Sequence, residues 1–436
     1  MTTIYPLIMG RRAILATEHY LSAAAGAGIF ARGGNAIDAA VAATFVEGVV
    51  NPHMHTIGGE APMLIYSASA RRVVAINGNM MAPARATIEH YHSLGLELIP
   101  GAGLLAAGVP AAFDALVTAL GEFGTKSLAD VIEPALELAS HGFPMHVGLA
   151  GVDASEGNVV AGAGASIRQN AHRFLTKWPS SAQVYLPDGK VPRPGQVIKN
   201  PALANFFTRV LDAEASAKNR GRKSALDAAR ERFYRGDIAR EIVAWSDANG
   251  GLLAGSDLER FTTRIEAPVS RDYRGVTVFK CGPWSQGPVF LQQLGLLEGF
   301  DLAAMGHNSA DYIHSVIEAA KLSFADREAY YGDPEFIDVP IDALLSERYA
   351  AIRRELIDPK RASMEQRPGD PRAMRALLDA PAPDARPWGA GTIHVTAADR
   401  DGNMIAVTAS GGWIPSSPVI DALGFPLGTR MQTFYL

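Results

Sequence analysis

The segment Ala36–Val50, AIDAAVAATFVEGVV, would present apolar side chains on nearly every face of a helix, with only Asp38 and Glu47 interrupting. A helix without a polar face belongs between layers of a fold and not on its surface. The chain has 436 residues, 48% hydrophobic and 19% charged, which is enough apolar material to build those layers. The two carboxylates keep the run well short of the roughly 18 to 20 uninterrupted residues that cross a bilayer, so a soluble protein with no membrane partner is expected. Lys and Arg number 40 against 45 Asp and Glu, a net charge of −5, and neither sign gathers into a block that could track a phosphate backbone. No nucleic-acid partner is expected. Cys281 is the only cysteine, which excludes an intramolecular disulfide framework and a zinc site of several thiolates. No metal and no cofactor are expected. The apolar run Ile4 to Met9 is broken by Pro6 and followed by arginines, the reverse of a secretory signal, so a cytoplasmic location is expected.

Around the buried helix, helical and extended segments alternate. Residues 13 to 17 read as a strand, and Ser22 to Arg32 as an alanine-rich helix stopped by Gly33-Gly34, after which Asn35 caps the next helix. Met63 to Tyr66 and Arg72 to Ile76 read as short strands, and Ala111 to Phe123, Leu128 to His141 and Ser309 to Tyr331 as helices. Residues 214 to 232 are charged and poor in large apolar groups, which predicts a solvated helix or mobile insert. Residues 358 to 390, with six prolines among many Asp and Arg residues, predict a surface-exposed or poorly ordered connection. Beyond it TIHVTAA-DRDGN-MIAVTAS predicts a hairpin, with Thr392, His394 and Thr396 on one face and Ile393, Val395 and Ala397 on the other.

Three motifs invite a functional reading and favour a bland one. Gly26-Ala27-Gly28-Ile29-Phe30-Ala31 fits a dinucleotide-binding turn, but EHYLSAAA separates it from the preceding strand, which favours close helix packing. Pro283-Trp284-Ser285-Gln286-Gly287 nearly matches a nucleophile elbow, with proline where the turn needs glycine. His53 and His55 could chelate a metal at i, i+2, yet no further ligand sits at suggestive spacing, and a loop with ordinary polar histidines is favoured. Gly391-Thr392 carries more. A threonine hydroxyl is a poor nucleophile until a base takes its proton, and an α-amine freed by cutting the preceding peptide bond can be that base. From chemistry alone Thr392 is either such a nucleophile or a β-branched strand residue.

The run RGGNAIDAAVAATFVEGVVNPHMHTIGGEAPMLIY (32 to 66) resembles the γ-glutamyltranspeptidase family. GVPAAFDAL, EPALELASHGFP, FYRGDIA, NGGLLAGSDL, EAAKLSFADREAYYGDP and TIHVTAADRDGNM follow in the family's order, so the likeness covers nearly the whole chain. The resemblance implies an N-terminal-nucleophile hydrolase: an α/β, four-layer αββα sandwich made as one precursor. Such a precursor cuts itself before its catalytic threonine, which matches Thr392. Residues 1–391 then correspond to the large subunit and 392–436 to the start of the small one, together one interleaved domain. Ile393 stands where the family commonly has a second threonine. Ser410 matches a hydroxyl that bonds near the nucleophile.

The resemblance also locates a clamp for the α-amino and α-carboxylate groups of a γ-glutamyl substrate, and all four of its positions are changed, to Asn79, Gly412, Arg430 and Thr433. Losing the charges that pair with a zwitterion costs a few kcal/mol for each substrate charge in a dry pocket, so a typical γ-glutamyl substrate is not expected. Arg430 is either an anchor for another substrate carboxylate or a solvated arginine. Family small subunits continue past the position of Leu436 and carry there a Gly-Gly oxyanion hole, so an incomplete C-terminus is expected. The expected activity is hydrolysis or transfer of an acyl group from a small-molecule amide, by associated large and small subunits from one precursor, with association into a homo-oligomer left open. The alternative is a non-catalytic or unprocessed homologue that binds partners.

Overall fold

Gly33 adopts φ +77° and stops α1 (Tyr20–Ala31), and Asn35 opens α2 (Ala36–Val50) two residues later. In this computed structural model, which describes residues 7–151, 165–378 and 391–436, the sequence GGNAID is therefore a helix stop followed by a helix start. The Asn35 side chain accepts from the Ile37 and Asp38 amides, and Asp38 returns a bond to the Asn35 amide, a capping box at the positive end of the helix dipole. Asp38 also accepts from the Thr125 amide and hydroxyl and the Lys126 amide at 2.7–3.0 Å. The carboxylate that interrupts the apolar run is thus buried but fully bonded. Every residue of α2 is buried.

The chain divides into two units, the first holding residues 1–72, 76–265 and 388–436. The strands β1 (Ala13–Ala16), β2 (Met63–Ser67), β3 (Arg72–Asn77), β4 (Thr392–Asp399) and β5 (Met404–Ser410) include an antiparallel run in the order β1-β4-β5-β2, which lies in the first unit. β4 and β5 form the predicted hairpin, with Ile393, Val395 and Ala397 buried and Gly402 at φ +90° in its turn. One side of α2 packs on this sheet, and its other sides meet α1, α3 (Ala112–Phe123) and α4 (Leu128–His141). Gly26 of the dinucleotide-like motif lies inside α1, where a Cβ would stand 3.2 Å from the Ala39 carbonyl of α2, so the motif serves helix packing.

Residues 214 to 232 are neither an insert nor a merely solvated helix. They span the end of α5 (Pro201–Ala217) and most of α6 (Arg222–Tyr234), which pack on each other. Ala217, Ala225, Leu226 and Ala229 are buried, while Glu214 turns inward to accept from the Leu128 and Ala129 amides at the start of α4. Small residues supply the apolar stripe here, and a count of large hydrophobics misses it.

The second unit holds residues 73–75 and 266–387. It contains a hairpin, Val269–Tyr273 with Val276–Lys280, and helices Gly287–Leu297, Ala310–Tyr330 and Glu347–Arg354. Ser285 of the elbow-like motif sits at the start of the first of these helices and donates to Gly282 O. Of the proline-rich connection, residues 379–390 lie outside the described residues. The rest is irregular but tethered: buried Arg353 pairs with Asp326 at 3.0 Å and donates to the carbonyls of Arg367 and Ala376.

Candidate active site

The hairpin register sets Ser410, the last residue of β5, directly opposite Thr392, the first of β4. Residues so opposed share a face of the sheet, and Thr392 Oγ1 lies 3.0 Å from Ser410 Oγ. β5 ends here because Gly411 and Gly412 take φ +75° and +62°. Neither could be replaced cheaply: a Cβ on Gly412 would run into Thr56 Oγ1 and the backbone of Gly58 and Gly59. That close approach has a product. Glu60 follows Gly58-Gly59, exchanges backbone hydrogen bonds of 2.8 and 3.0 Å with Ser410, and is thereby carried to the nucleophile's neighbourhood.

Arg430 completes the group. Its Nε donates to Glu60 Oε1 at 2.6 Å, its Nη2 donates to Ser410 Oγ at 2.8 Å, and its guanidinium lies 5.0 Å from the centre of the Trp413 ring. Glu60 is 5% exposed and the Arg430 side chain 28%, so the pair is substantially withdrawn from water. Arg430 is thus a partly exposed cation already paired with Glu60.

The Gly391 carbonyl oxygen, on the bond the sequence singles out, accepts from Ser410 Oγ at 3.0 Å and from Trp413 Nε1 at 2.6 Å. Counting hydrogens orders the group. Ser410 has one hydroxyl hydrogen and two lone pairs, Arg430 can only donate and the carbonyl can only accept. Ser410 therefore gives its hydrogen to Gly391 O, and its remaining lone pair accepts from Thr392, which leaves the Thr392 oxygen lone pairs unused within the group. Gly391 itself fits because it lacks a side chain: a Cβ would collide with Met54 Sδ and stand 3.0 Å from His53 O.

Gly391, Thr392, Ser410 and Arg430 are thus joined by hydrogen bonds. Gly412 takes part through its backbone, its carbonyl accepting from Thr56 Oγ1 at 2.8 Å. Thr433 is exposed and donates its hydroxyl to the Arg430 carbonyl at 2.9 Å. Asn79 follows β3, where its amide donates to Asn77 Oδ1. Glu60 and Trp413 escaped the reading of the sequence; a carboxylate straight after two glycines and a tryptophan straight after two more were the available signals.

His53 and His55 are buried, against the expectation of an ordinary polar loop. The rings of His53 and His146 lie 5.6 Å apart and those of His146 and His19 5.0 Å apart, a grouping of three distant chain segments. Burial, then the neighbouring His146 and His19, push His53 down to about 3, and burial lowers His55 to about 4. Both are neutral near pH 7. Among the described residues, no cluster of three or more His, Cys, Asp or Glu side chains is arranged to hold a metal ion.

The profile of the Gamma-glutamyltranspeptidase family matches residues 22–436. The glutathione hydrolase-like YwrD proenzyme of Bacillus subtilis (strain 168) is 32% identical over 404 residues, which cover 92% of this chain and 67% of that protein. The solved structure of LmbA2991 is 41% identical with a TM-score of 0.89, covering 100% of this chain and 74% of the other. Cephalosporin acylase from Bacillus halodurans is 28% identical with a TM-score of 0.81, covering 100% and 73%. The chain thus spans about two thirds of its curated relative and three quarters of the solved ones.

Proposed function

Because the chain belongs to the γ-glutamyltranspeptidase family, we propose that it is an N-terminal-nucleophile hydrolase or acyltransferase that cuts itself between Gly391 and Thr392 and then turns Thr392 on an external amide. The observation that carries this reading is the triple contact of Thr392 Oγ1 with Ser410, of Ser410 with the Gly391 carbonyl, and of that carbonyl with Trp413. Thr392 Oγ adds to the Gly391 carbonyl carbon, the C–N bond breaks as the nitrogen gains a proton, and the resulting ester is hydrolysed by one water. Thr392 is left with a free α-amine beside its own hydroxyl. In later turnovers that amine accepts the hydroxyl proton, Thr392 Oγ takes the acyl group, and water or an amine acceptor releases it. Residues 1–391 form the large part of the precursor, and the small part begins at Thr392.

The substrate we favour is an amide whose acyl group lacks the α-amino and α-carboxylate groups of a γ-glutamyl donor. Support comes from Arg430, whose charge is already compensated by Glu60, so that a substrate carboxylate would have to displace an existing ion pair. One of the similar structures is a cephalosporin acylase and not a glutathione hydrolase, which supports looking beyond γ-glutamyl amides. A binding protein without catalysis finds no comparable support. Two measurements test the proposal. Denaturing electrophoresis with intact-mass analysis is expected to show two products that meet at Gly391-Thr392; a chain that stays whole overturns self-cleavage. Across a panel of amides, γ-glutamyl-p-nitroanilide is expected to fall below a kcat/KM of about 10⁴ M⁻¹s⁻¹, ordinary for an enzyme on its own substrate, and a higher value overturns the substrate assignment.

A further inference from the structure

We propose that Trp413 is a catalytic residue of self-cleavage: its indole N–H and the Ser410 hydroxyl form the cradle that receives the negative charge gathering on the Gly391 carbonyl oxygen when Thr392 attacks. The inference rests on the self-cleavage reading above and adds the electrophilic half of that step. When the Thr392 Oγ–C bond forms, the carbonyl π pair moves onto oxygen, and donors already aimed at that oxygen stabilise it without having to reorganise. Trp413 Nε1 at 2.6 Å and Ser410 Oγ at 3.0 Å are two such donors.

The geometry shows a donor held in place. Trp413 is 4% exposed, and the glycine pair before it, with φ +75° and +62°, turns the chain so that the residue after the strand end faces back toward the first residue of β4. Its carbonyl accepts from the Ser416 amide at 2.8 Å, and the next amide, of Ile414, donates to Pro52 O at 3.0 Å. Arg430 places its cation over the indole face at 5.0 Å. A cation on a ring face draws electron density from the ring, which makes the indole N–H a better donor. Arg430 therefore supports both donors, one through Ser410 Oγ and one through the Trp413 ring. A tryptophan that merely fills space needs some hydrogen-bond partner for its N–H when buried, but not this one. Here the partner is the carbonyl of the bond to be cut, on the carbon next to the nucleophile.

The test separates a donor from a filler. The full chain is made by cell-free synthesis, and the fraction cleaved at Gly391-Thr392 is followed by intact mass against time. Four chains are compared: the parent, Thr392→Ala, Trp413→Phe, and a chain with 3-benzothienylalanine at position 413, which keeps the indole shape and replaces its N–H by sulfur. Losing one donor of this kind slows a reaction by about 10² to 10³-fold, and that slowing is expected of both Trp413 variants. The isostere decides the matter, because its packing is that of the parent. If it cleaves within about threefold of the parent rate, Trp413 is a filler and the inference is overturned. A parent that stays whole, or a Thr392→Ala chain that still cleaves, would instead overturn the self-cleavage reading itself.

Discussion

Thr392 and Ser410 are the residues whose chemistry depends least on anything but their positions. One hydroxyl serves both self-cleavage and turnover, so Thr392→Ala is expected to abolish both, as read by gel and by release of acyl product. Thr392→Ser keeps the oxygen and loses the methyl group that restrains χ1, and is expected to retain part of each. Arg430 and Glu60 give a second expectation at this scale, best measured in the Thr392→Ala background, where the chain stays in one piece. Arg430→Met leaves the Glu60 carboxylate buried without its counter-charge and is expected to cost about 3 kcal/mol in urea unfolding. The double change Glu60→Leu with Arg430→Met removes both charges and is expected to recover most of that loss, because desolvation no longer has to be offset.

Among the elements, the loop between α2 and β2 is where burial and charge conflict. It holds His53 and His55, lowered to about 3 and about 4, against an unfolded value near 6.5. Between those limits the unfolded chain takes up protons that the folded chain refuses. Stability is therefore fully present above pH 6.5 and is lost as the pH falls, by up to about 1.4 kcal/mol per pH unit for each histidine. Thermal melts from pH 7 to pH 4 are expected to show this slope, and His55→Gln is expected to flatten it. A midpoint constant across that range would show that neither ring is held neutral. The same loop carries His53 and Met54 against Gly391, which ties its integrity to the candidate cleavage bond.

For the whole molecule, the decisive feature is that the segment after the candidate cleavage bond sits inside a sheet and not at its margin. β4 pairs with β1 on one side and β5 on the other, and β5 pairs with β2. Cutting before Thr392 removes one covalent bond and none of these ladders. The two products are expected to elute together in native size-exclusion chromatography and to separate only in denaturant, and separation in buffer would mean that the strands do not hold them. The hairpin is anchored further where Asp399 accepts from the Ala36 amide at 2.9 Å, binding its turn to the start of α2.

Local patterns were sufficient wherever one short stretch of chain decides the outcome. The burial of α2 follows from its having no polar face, the helix stop and start at Gly33 and Asn35 from backbone sterics and capping, and the hairpin from alternation around Asp401-Gly402-Asn403. The pairing of Thr392 with Ser410 follows from that hairpin too, since an antiparallel turn sets its register. The burial of helix α6 is not legible locally, because small residues form a core stripe only when a neighbour such as α5 comes close, and no local pattern reports a neighbour. The candidate site divides the same way. Its hydroxyls lie on one hairpin and could be read along the chain, whereas Glu60, Trp413 and Arg430 reach them from separate segments. Only the glycine contacts between residues 58–59 and 411–412 bring Glu60 to Ser410, and only the folded chain lays Arg430 across both. Hydrogen bonds and ion pairs act over a few ångströms, and which residues come within that distance was decided by how the layers pack.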